Sequence, residues 1–275
     1  MEMVETLPSV RIERDGDVAV VVLDKPPLNL FDEEVFTGWE RAVAELVGLT
    51  DPTRPDRARV VLIEARGRVV SAGVDVSVFS AIAEGPEPVQ NGSALWVRLL
   101  HITHTLEGLP VPTIFAAHGL TLTAAFEVAL ACDVLLAAER ASFGLVEIVV
   151  GLTPSMGGPQ RLAERAGPAR ARELVYTGGR YPAADLERWN VVNRVLPDEN
   201  FTGAARDFAR RIAAGPTLAH AATKRLIATA VRDGVRAADD AVPAVSGALF
   251  ATADLRGAVA SFLTNGPDHA TYQGR

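Results

Sequence analysis

Ala141-Ser-Phe-Gly-Leu-Val-Glu147-Ile-Val-Val-Gly-Leu-Thr-Pro-Ser-Met-Gly157-Gly158 sets one carboxylate among Leu145, Val146, Ile148, Val149 and Val150, with no basic residue inside the stretch to pair with it. An acid in such company reads poorly as part of a solvated face, although an edge strand would still expose it. Gly157-Gly158 ahead of Gln160-Arg-Leu reads as a helix start with close backbone packing.

Two earlier stretches share this use of glycines and carboxylates in apolar surroundings. Ala117-His-Gly-Leu-Thr-Leu-Thr-Ala-Ala-Phe-Glu127-Val-Ala-Leu puts Glu127 in the first turn of an otherwise apolar helix. There it either complements the helix dipole or, partly desolvated, has its pKa raised toward use as an acid or base. Val69-Val-Ser-Ala-Gly-Val-Asp-Val76 follows a strand and is interrupted by Gly73. That glycine serves a plain turn, or it lets backbone N–H groups point unpaired at a ligand.

Working outward, the order strand, strand, helix recurs without a fixed sequence period. Val10–Arg14 and Val18–Leu23 flank Asp15-Gly16 and predict a hairpin, because a DG pair supplies the positive φ of tight turns. Apolar positions at Val35, Phe36, Trp39, Val43, Leu46 and Val47 predict a helix from Asp32, its N-cap, to about Leu49. Arg59–Ala65 and Val111–Ala117 read as strands, Asp133–Ala138 as another, and residues 84–92 as a loop ahead of a helix through Trp96, Leu99, Leu100 and Leu106. Beyond about Asn200 the strand signal stops and four helical segments follow. Mixed α/β followed by all-α suggests a core with a helical appendage, and the division is set at residues 1–199 and 200–275.

The 275 residues carry 27 Lys+Arg against 34 Asp+Glu, a net charge of −7, with 48% hydrophobic and 22% charged residues. This is a soluble globular mixture rather than a disordered one. The acidic balance argues against nucleic-acid binding, which needs a basic face to displace counterions. No apolar run approaches the roughly 20 residues that span a bilayer. The single cysteine, Cys132, excludes an intramolecular disulfide and a cysteine-based zinc site, and its apolar setting suggests a buried, inert thiol. Met1–Thr6 shows no basic region followed by an apolar stretch, so a cytoplasmic location is the default. His101 and His104 have no further ligands at suitable spacing, and no metal site is expected. Trp39, Trp96 and Trp189 follow helical patterns and read as core.

The three stretches, in this order and spacing, resemble the enoyl-CoA hydratase/isomerase (crotonase) superfamily. Pro26-Pro-Leu-Asn29 is similar to its early Pro-x-x-x-Asn turn, Ser71-Ala-Gly-Val-Asp75 to its first oxyanion motif, and Pro112-Thr-Ile-Phe-Ala-Ala-His-Gly119 to the lead into its second. Phe143-Gly-Leu-Val-Glu147-Ile through Gly157-Gly-Pro-Gln-Arg-Leu162 is the most specific of the signatures. The end of the chain, from Ser261-Phe-Leu to Gly274-Arg275, also looks like the family's.

The resemblance implies an α/β fold, a crotonase-like spiral of ββα turns with a C-terminal helical trimerisation region, assembled as a homotrimer or dimer of trimers. It implies acyl-CoA substrates, with coenzyme A as part of the substrate and no separate cofactor. By the same resemblance the N–H groups of Val74 and Ala124 hold the thioester oxygen, and Glu127 and Glu147 jointly hold a water. Glu127 takes a proton from that water as it attacks the β carbon, and Glu147 exchanges the proton at the α carbon, hydrating a 2-trans-enoyl-CoA. Ala72, Gly73, Asp75, Val76 and Lys25 fall at substrate-binding positions. Rival readings are a Δ3,Δ2-enoyl-CoA isomerase, which needs one glutamate, and a catalytically weak acyl-CoA-binding homologue.

Two departures stand out. Thr123-Ala124-Ala125 replaces the family's usual glycine triplet, and the added methyls must be accommodated beside the thioester. Ser77 stands where many members place a lysine near the CoA phosphates, leaving Lys25, Arg66 and Arg68 as substitutes. Lys224-Arg225 reaches a phosphate from a neighbouring subunit or belongs to a solvated face. His118, at a strand end, is assigned a structural hydrogen bond.

Overall fold

The computed structural model describes residues 7–275, so the reading of Met1–Thr6 lies outside the described residues. Strands β1 (Val10–Asp15) and β2 (Val18–Leu23) pair antiparallel about Gly16, whose φ of +59° is the one the turn requires. The chain then passes Asn29 and Phe31 into α1 (Glu33–Leu49). The Asp32 carboxylate caps α1 by accepting the Val35 N–H at 3.1 Å. Its inner stripe of Val35, Phe36, Trp39, Val43 and Leu46 is buried as the periodicity predicts, whereas Val47 faces solvent.

The same sequence of events repeats. After β3 (Val60–Ala65) come α2 (Ser77–Ala83) and α3 (Pro88–Gly108); after β4 (Thr113–Ala117) and β5 (Leu120–Leu122) comes α4 (Ala124–Leu130). Then β6 (Val134–Ala138) and β7 (Ser142–Gly144) lead into a 3₁₀ turn, Glu147–Val150, followed by α5 (Gly158–Ala166) and α6 (Pro168–Thr177). Strand β8 (Tyr181–Pro182), α7 (Ala183–Arg188) and β9 (Arg194–Leu196) close the series. Each turn adds a strand to a six-stranded sheet of order β1-β2-β3-β4-β6-β9, parallel from β2 onward. Each also lays a short segment on a second ladder, through the Phe31–Val74 and Ser71–Thr121 bridges to β5, β7 and β8. This is the spiral of ββα turns.

The parallel strands are buried on both faces and read as unbroken apolar runs: all six residues of β2 and all six of β3 are buried. Four helices follow the spiral, α8 (Phe201–Ala213), α9 (Thr217–Asp233), α10 (Val235–Gly247) and α11 (Ala253–Asn265), as the loss of strand signal predicts. One expectation is corrected. Residues 84–92 are not all loop, because α3 starts at Pro88, where a proline at the first helical position loses no hydrogen bond. The short α2 ahead of it was not foreseen. Among the described residues no helix is long and apolar enough to cross a membrane.

Asn29 ties the first turn of the spiral to the second. It is buried, with φ +51°, and its amide nitrogen lies 2.8 Å from Arg66 O and 3.1 Å from both Val69 O and Val70 O. Its side-chain oxygen accepts the Lys25 N–H at 2.7 Å, and its own carbonyl accepts the Ser71 hydroxyl at 2.7 Å. Asn29→Ala leaves buried carbonyls and one N–H without partners, and places an alanine where asparagine is tolerated better. A loss of about 2–3 kcal/mol in urea unfolding is expected, with an unchanged m-value; an unchanged midpoint would show that the turn is held by other contacts.

Candidate active site

The segment Ser71–Val76 is shaped by Ser71 and Gly73. The Ser71 hydroxyl, held on Asn29 O, accepts the Gly73 N–H at 3.1 Å, and Gly73 takes a φ of +116° that side chains rarely adopt. The bridge to Phe31 is made by Phe31 N–H to Gly73 O (2.9 Å) and Asp75 N–H to Phe31 O (3.0 Å). The Val74 N–H between them takes no part in the bridge. Ala124 is the first residue of α4, so its N–H has no partner within the helix either.

Val74 and Ala124 line one narrow cleft of about 20 Å³ together with Glu127 and Glu147. The four residues expected to carry the chemistry therefore converge, although they come from three different turns of the spiral. Of the positions around Val74, the backbone N–H of Ala72 donates to Leu28 O at 2.9 Å, and Asp75 accepts the Ser77 N–H at 2.9 Å. Val76 is exposed and lines an adjoining cavity. Lys25 is placed apart: its ammonium is held by Asp32, and by Glu34 at 2.7 Å, so its charge is balanced within the chain. Lys224 is likewise pinned, to Asp133 at 2.9 Å and Val111 O at 3.2 Å. His118 makes a structural hydrogen bond, its Nε2 lying 3.0 Å from Gly67 O.

Glu127 is 3% exposed, on a helix that is buried throughout. Its Oε1 accepts the N–H groups of Met156 and Gly158, each at 2.8 Å. Those donors are fixed in turn: Met156 O accepts from the Thr103 hydroxyl of α3 at 3.0 Å and from Arg161 at 3.2 Å. Gly158 has to be glycine because a Cβ there would stand 2.9 Å from both Cγ and Oε1 of Glu127. Burial pushes the Glu127 pKa up to about 7, against the pull of the two N–H donors and of Arg161.

Glu147 is 8% exposed, and its Oε2 has no hydrogen-bond partner among the described residues. The local arrangement inverts the usual one. The acid turns inward while Ile148, Val149 and Val150 stand exposed, on a 3₁₀ turn rather than an edge strand. Burial, then the charge of Glu127, pushes its pKa up to about 8. Two facing carboxyls resist joint ionisation, so near neutral pH the pair shares a proton. Glu127, with two N–H groups on one oxygen, is the better carboxylate; Glu147, with none on Oε2, is the better acid. The cleft thus brings together two acids with unequal hydrogen bonding and the two residues, Val74 and Ala124, whose N–H groups take no part in the neighbouring bridge or helix.

Next to it lies a wider cavity of about 590 Å³, lined by Val76, by Phe79 and Ile82 of α2, and by Val89 and Trp96 of α3. Phe79, Trp96 and Leu152 line both spaces. Trp96 is therefore not plain core as its helical spacing suggests; it walls the passage between the two, with Phe79 at a centroid distance of 5.9 Å. Trp39 is core, at 1% exposure. No local pattern of residues marks the Met156 and Gly158 clamp on Glu127, which lies about thirty residues further along the chain. Thr123 is the residue of the altered triplet with a conformational consequence. It holds φ +49° and ψ −122°, a region in which a β-branched residue costs about 1–3 kcal/mol.

Comparison with known proteins shows that residues 13–271 match the enoyl-CoA hydratase/isomerase family. A probable enoyl-CoA hydratase of Mycobacterium tuberculosis is 31% identical over 235 residues, 84% of this chain and 86% of that protein. A carnitinyl-CoA dehydratase of Escherichia coli is 34% identical over 223 residues, 80% of each. Among solved structures, one titled as an enoyl-CoA hydratase subunit from Geobacillus kaustophilus superposes with a TM-score of 0.85 at 29% identity, over 97% of this chain and 98% of that one. A putative enoyl-CoA hydratase from Streptomyces coelicolor gives 0.88 at 26% identity, over 100% and 98%.

The raised Glu147 pKa ties stability to pH. The folded state holds this proton more tightly than the unfolded chain, whose carboxyl titrates near 4.5. Its stabilising contribution is complete below that pH and is lost as pH rises through about 8. Glu147→Gln, which never ionises, should therefore gain in melting temperature relative to the native protein between pH 5 and pH 9. A difference that stays constant across that range would mean that Glu147 ionises as an ordinary surface acid.

Proposed function

The chain belongs to the enoyl-CoA hydratase/isomerase family, and we propose that it adds water across the double bond of 2-trans-enoyl-CoA thioesters to give 3-hydroxyacyl-CoA. The observation that carries this reading is the convergence of Glu127, Glu147, Val74 and Ala124 on one cleft. The thioester oxygen lies between the Val74 and Ala124 N–H groups, which stabilise it as it becomes an enolate; one such donor contributes about 3–4 kcal/mol. Water sits between the two carboxyls. Ionised Glu127 takes its proton as the oxygen bonds to the β carbon, and protonated Glu147 delivers a proton to the α carbon. The two acids then differ from their starting states by one proton each, in opposite senses, and a transfer between them restores the site.

Dehydration is the same path reversed, so hydratase and dehydratase relatives are expected to share such machinery and to differ in what surrounds the acyl group. In this chain the adjoining cavity is apolar and aromatic, which favours an unsubstituted hydrocarbon chain over a polar or charged acyl group. Coenzyme A enters as part of the substrate.

The assembly is proposed to be a homotrimer or dimer of trimers. Val259, Phe262 and Leu263 form one exposed face of α11, and Phe250 ahead of it is 78% exposed. A closed cyclic oligomer would cover this apolar surface. Light scattering at micromolar concentration should give three or six times the mass of the chain; a monomer would contradict the proposal.

The assay that tests the reaction is loss of the enoyl absorbance of crotonyl-CoA, followed by a series of longer chains. Glu127→Gln cannot accept the proton of water and Glu147→Gln cannot deliver one, so each should lower kcat by about 10²-fold or more. The double variant should lose far less than the product of the two, because the residues act as a unit. An isomerase would leave crotonyl-CoA unhydrated, shift a 3-enoyl-CoA, and need only one of the two acids.

A further inference from the structure

Thr123 combines two unfavourable features that nothing among the described residues relieves. Its backbone is held at φ +49° and ψ −122°, a conformation natural to glycine. Both backbone groups are occupied: its N–H donates to Gly144 O at 2.9 Å and its carbonyl accepts the Glu127 N–H at 2.9 Å. The side chain, by contrast, is 6% exposed, and its hydroxyl is buried without any hydrogen-bond partner among the described residues.

The position of that hydroxyl is specific. A Cβ built on Gly73 would stand 3.1 Å from Thr123 Oγ1 and 3.4 Å from its methyl, so the side chain lies against Gly73. Gly73 immediately precedes Val74, and Thr123 immediately precedes Ala124. The orphan hydroxyl therefore sits where the two chain segments that present the Val74 and Ala124 N–H groups meet. Buried on a strained backbone, the hydroxyl has no acceptor among the described residues, and such a group is costly to leave unpaired.

We propose that the Thr123 hydroxyl is a third hydrogen-bond donor to the thioester oxygen, completing the site formed by the Val74 and Ala124 N–H groups. The proposal rests on the acyl-CoA reading above. It explains why a threonine is compatible with a backbone conformation better suited to glycine: the hydroxyl gains its partner when the substrate carbonyl arrives. No proton is transferred, and the hydrogen bond strengthens as the oxygen gains charge.

Two substitutions separate the hydroxyl from the shape of the side chain. Thr123→Val keeps the branched outline without the donor, and Thr123→Ser keeps the donor. Thr123→Gly removes the hydroxyl and relieves the backbone, so it guards against a valine variant that folds poorly. With crotonyl-CoA, valine and glycine variants should each lose about 10- to 10²-fold in kcat with KM changed by less than about threefold, while serine stays within about threefold of native. The glycine variant should also melt at a higher temperature than the native protein. The carbonyl stretch of a bound enoyl-CoA, read by difference infrared spectroscopy, should shift less to low frequency in the valine and glycine variants than in native and serine proteins. This readout is independent of turnover. A native protein that binds the ester without hydrating it would fail the proposed function while still testing the hydrogen bond. Native kcat and native carbonyl shift in Thr123→Val would overturn the inference, as would loss in Thr123→Gly alone, which would assign the effect to packing.

Discussion

Two carboxyl groups enclosed in one narrow, largely apolar cleft cannot both be charged, and the rest of the site follows from that constraint. Burial raises both Glu127 and Glu147, and the charge of one raises the other further. What separates them is unequal hydrogen bonding. Met156 and Gly158 donate to Glu127, and no described residue donates to Oε2 of Glu147. A pair with one proton between them suits the proposed reaction, which takes a proton from water at one carbon and delivers one to its neighbour.

The fold supplies this inequality with backbone rather than side chains. The donors to Glu127 come from a segment that Thr103 and Arg161 hold by its Met156 carbonyl, and Gly158 permits the approach. The Val74 N–H is presented by a segment fixed through Ser71 and Asn29. Groups that carry no side-chain identity do much of the work. Ala124 can therefore stand in the altered triplet, since any residue but proline brings the same N–H.

How much of this could be read beforehand follows from the range of the forces involved. The Asp15-Gly16 hairpin, the Asp32 cap and the apolar strands β2 and β3 are local and were legible in the sequence. Glu127 and Glu147 were legible as acids with apolar neighbours. That Ile148, Val149 and Val150 would turn outward was not, because a 3₁₀ turn has neither strand nor helix periodicity. Nor was the short α2, which buries no residue fully, and whose Val78, Phe79 and Ile82 are half-buried. Trp96 misled for the same reason: spacing tells which face of a helix is apolar, not whether that face meets core or an open cavity. Lys25 was a cation in the sequence and became a neutralised one through Asp32 and Glu34, a pairing visible only once the first turn is folded.

The long reach of the Glu127 clamp has a consequence for biosynthesis. The acid is laid down on α4, and its two donors emerge only with Met156 and Gly158, after β6 and β7 have been added. A nascent chain that ends before the clamp carries the glutamate beside an incomplete apolar wall, hydrated and titrating as a simple carboxylate. The acid–base character proposed for it would begin only when the fourth turn of the spiral closes over it. Competence in this architecture is thus a late event of folding, set by contacts between distant parts of the chain rather than by the order in which reactive residues are made.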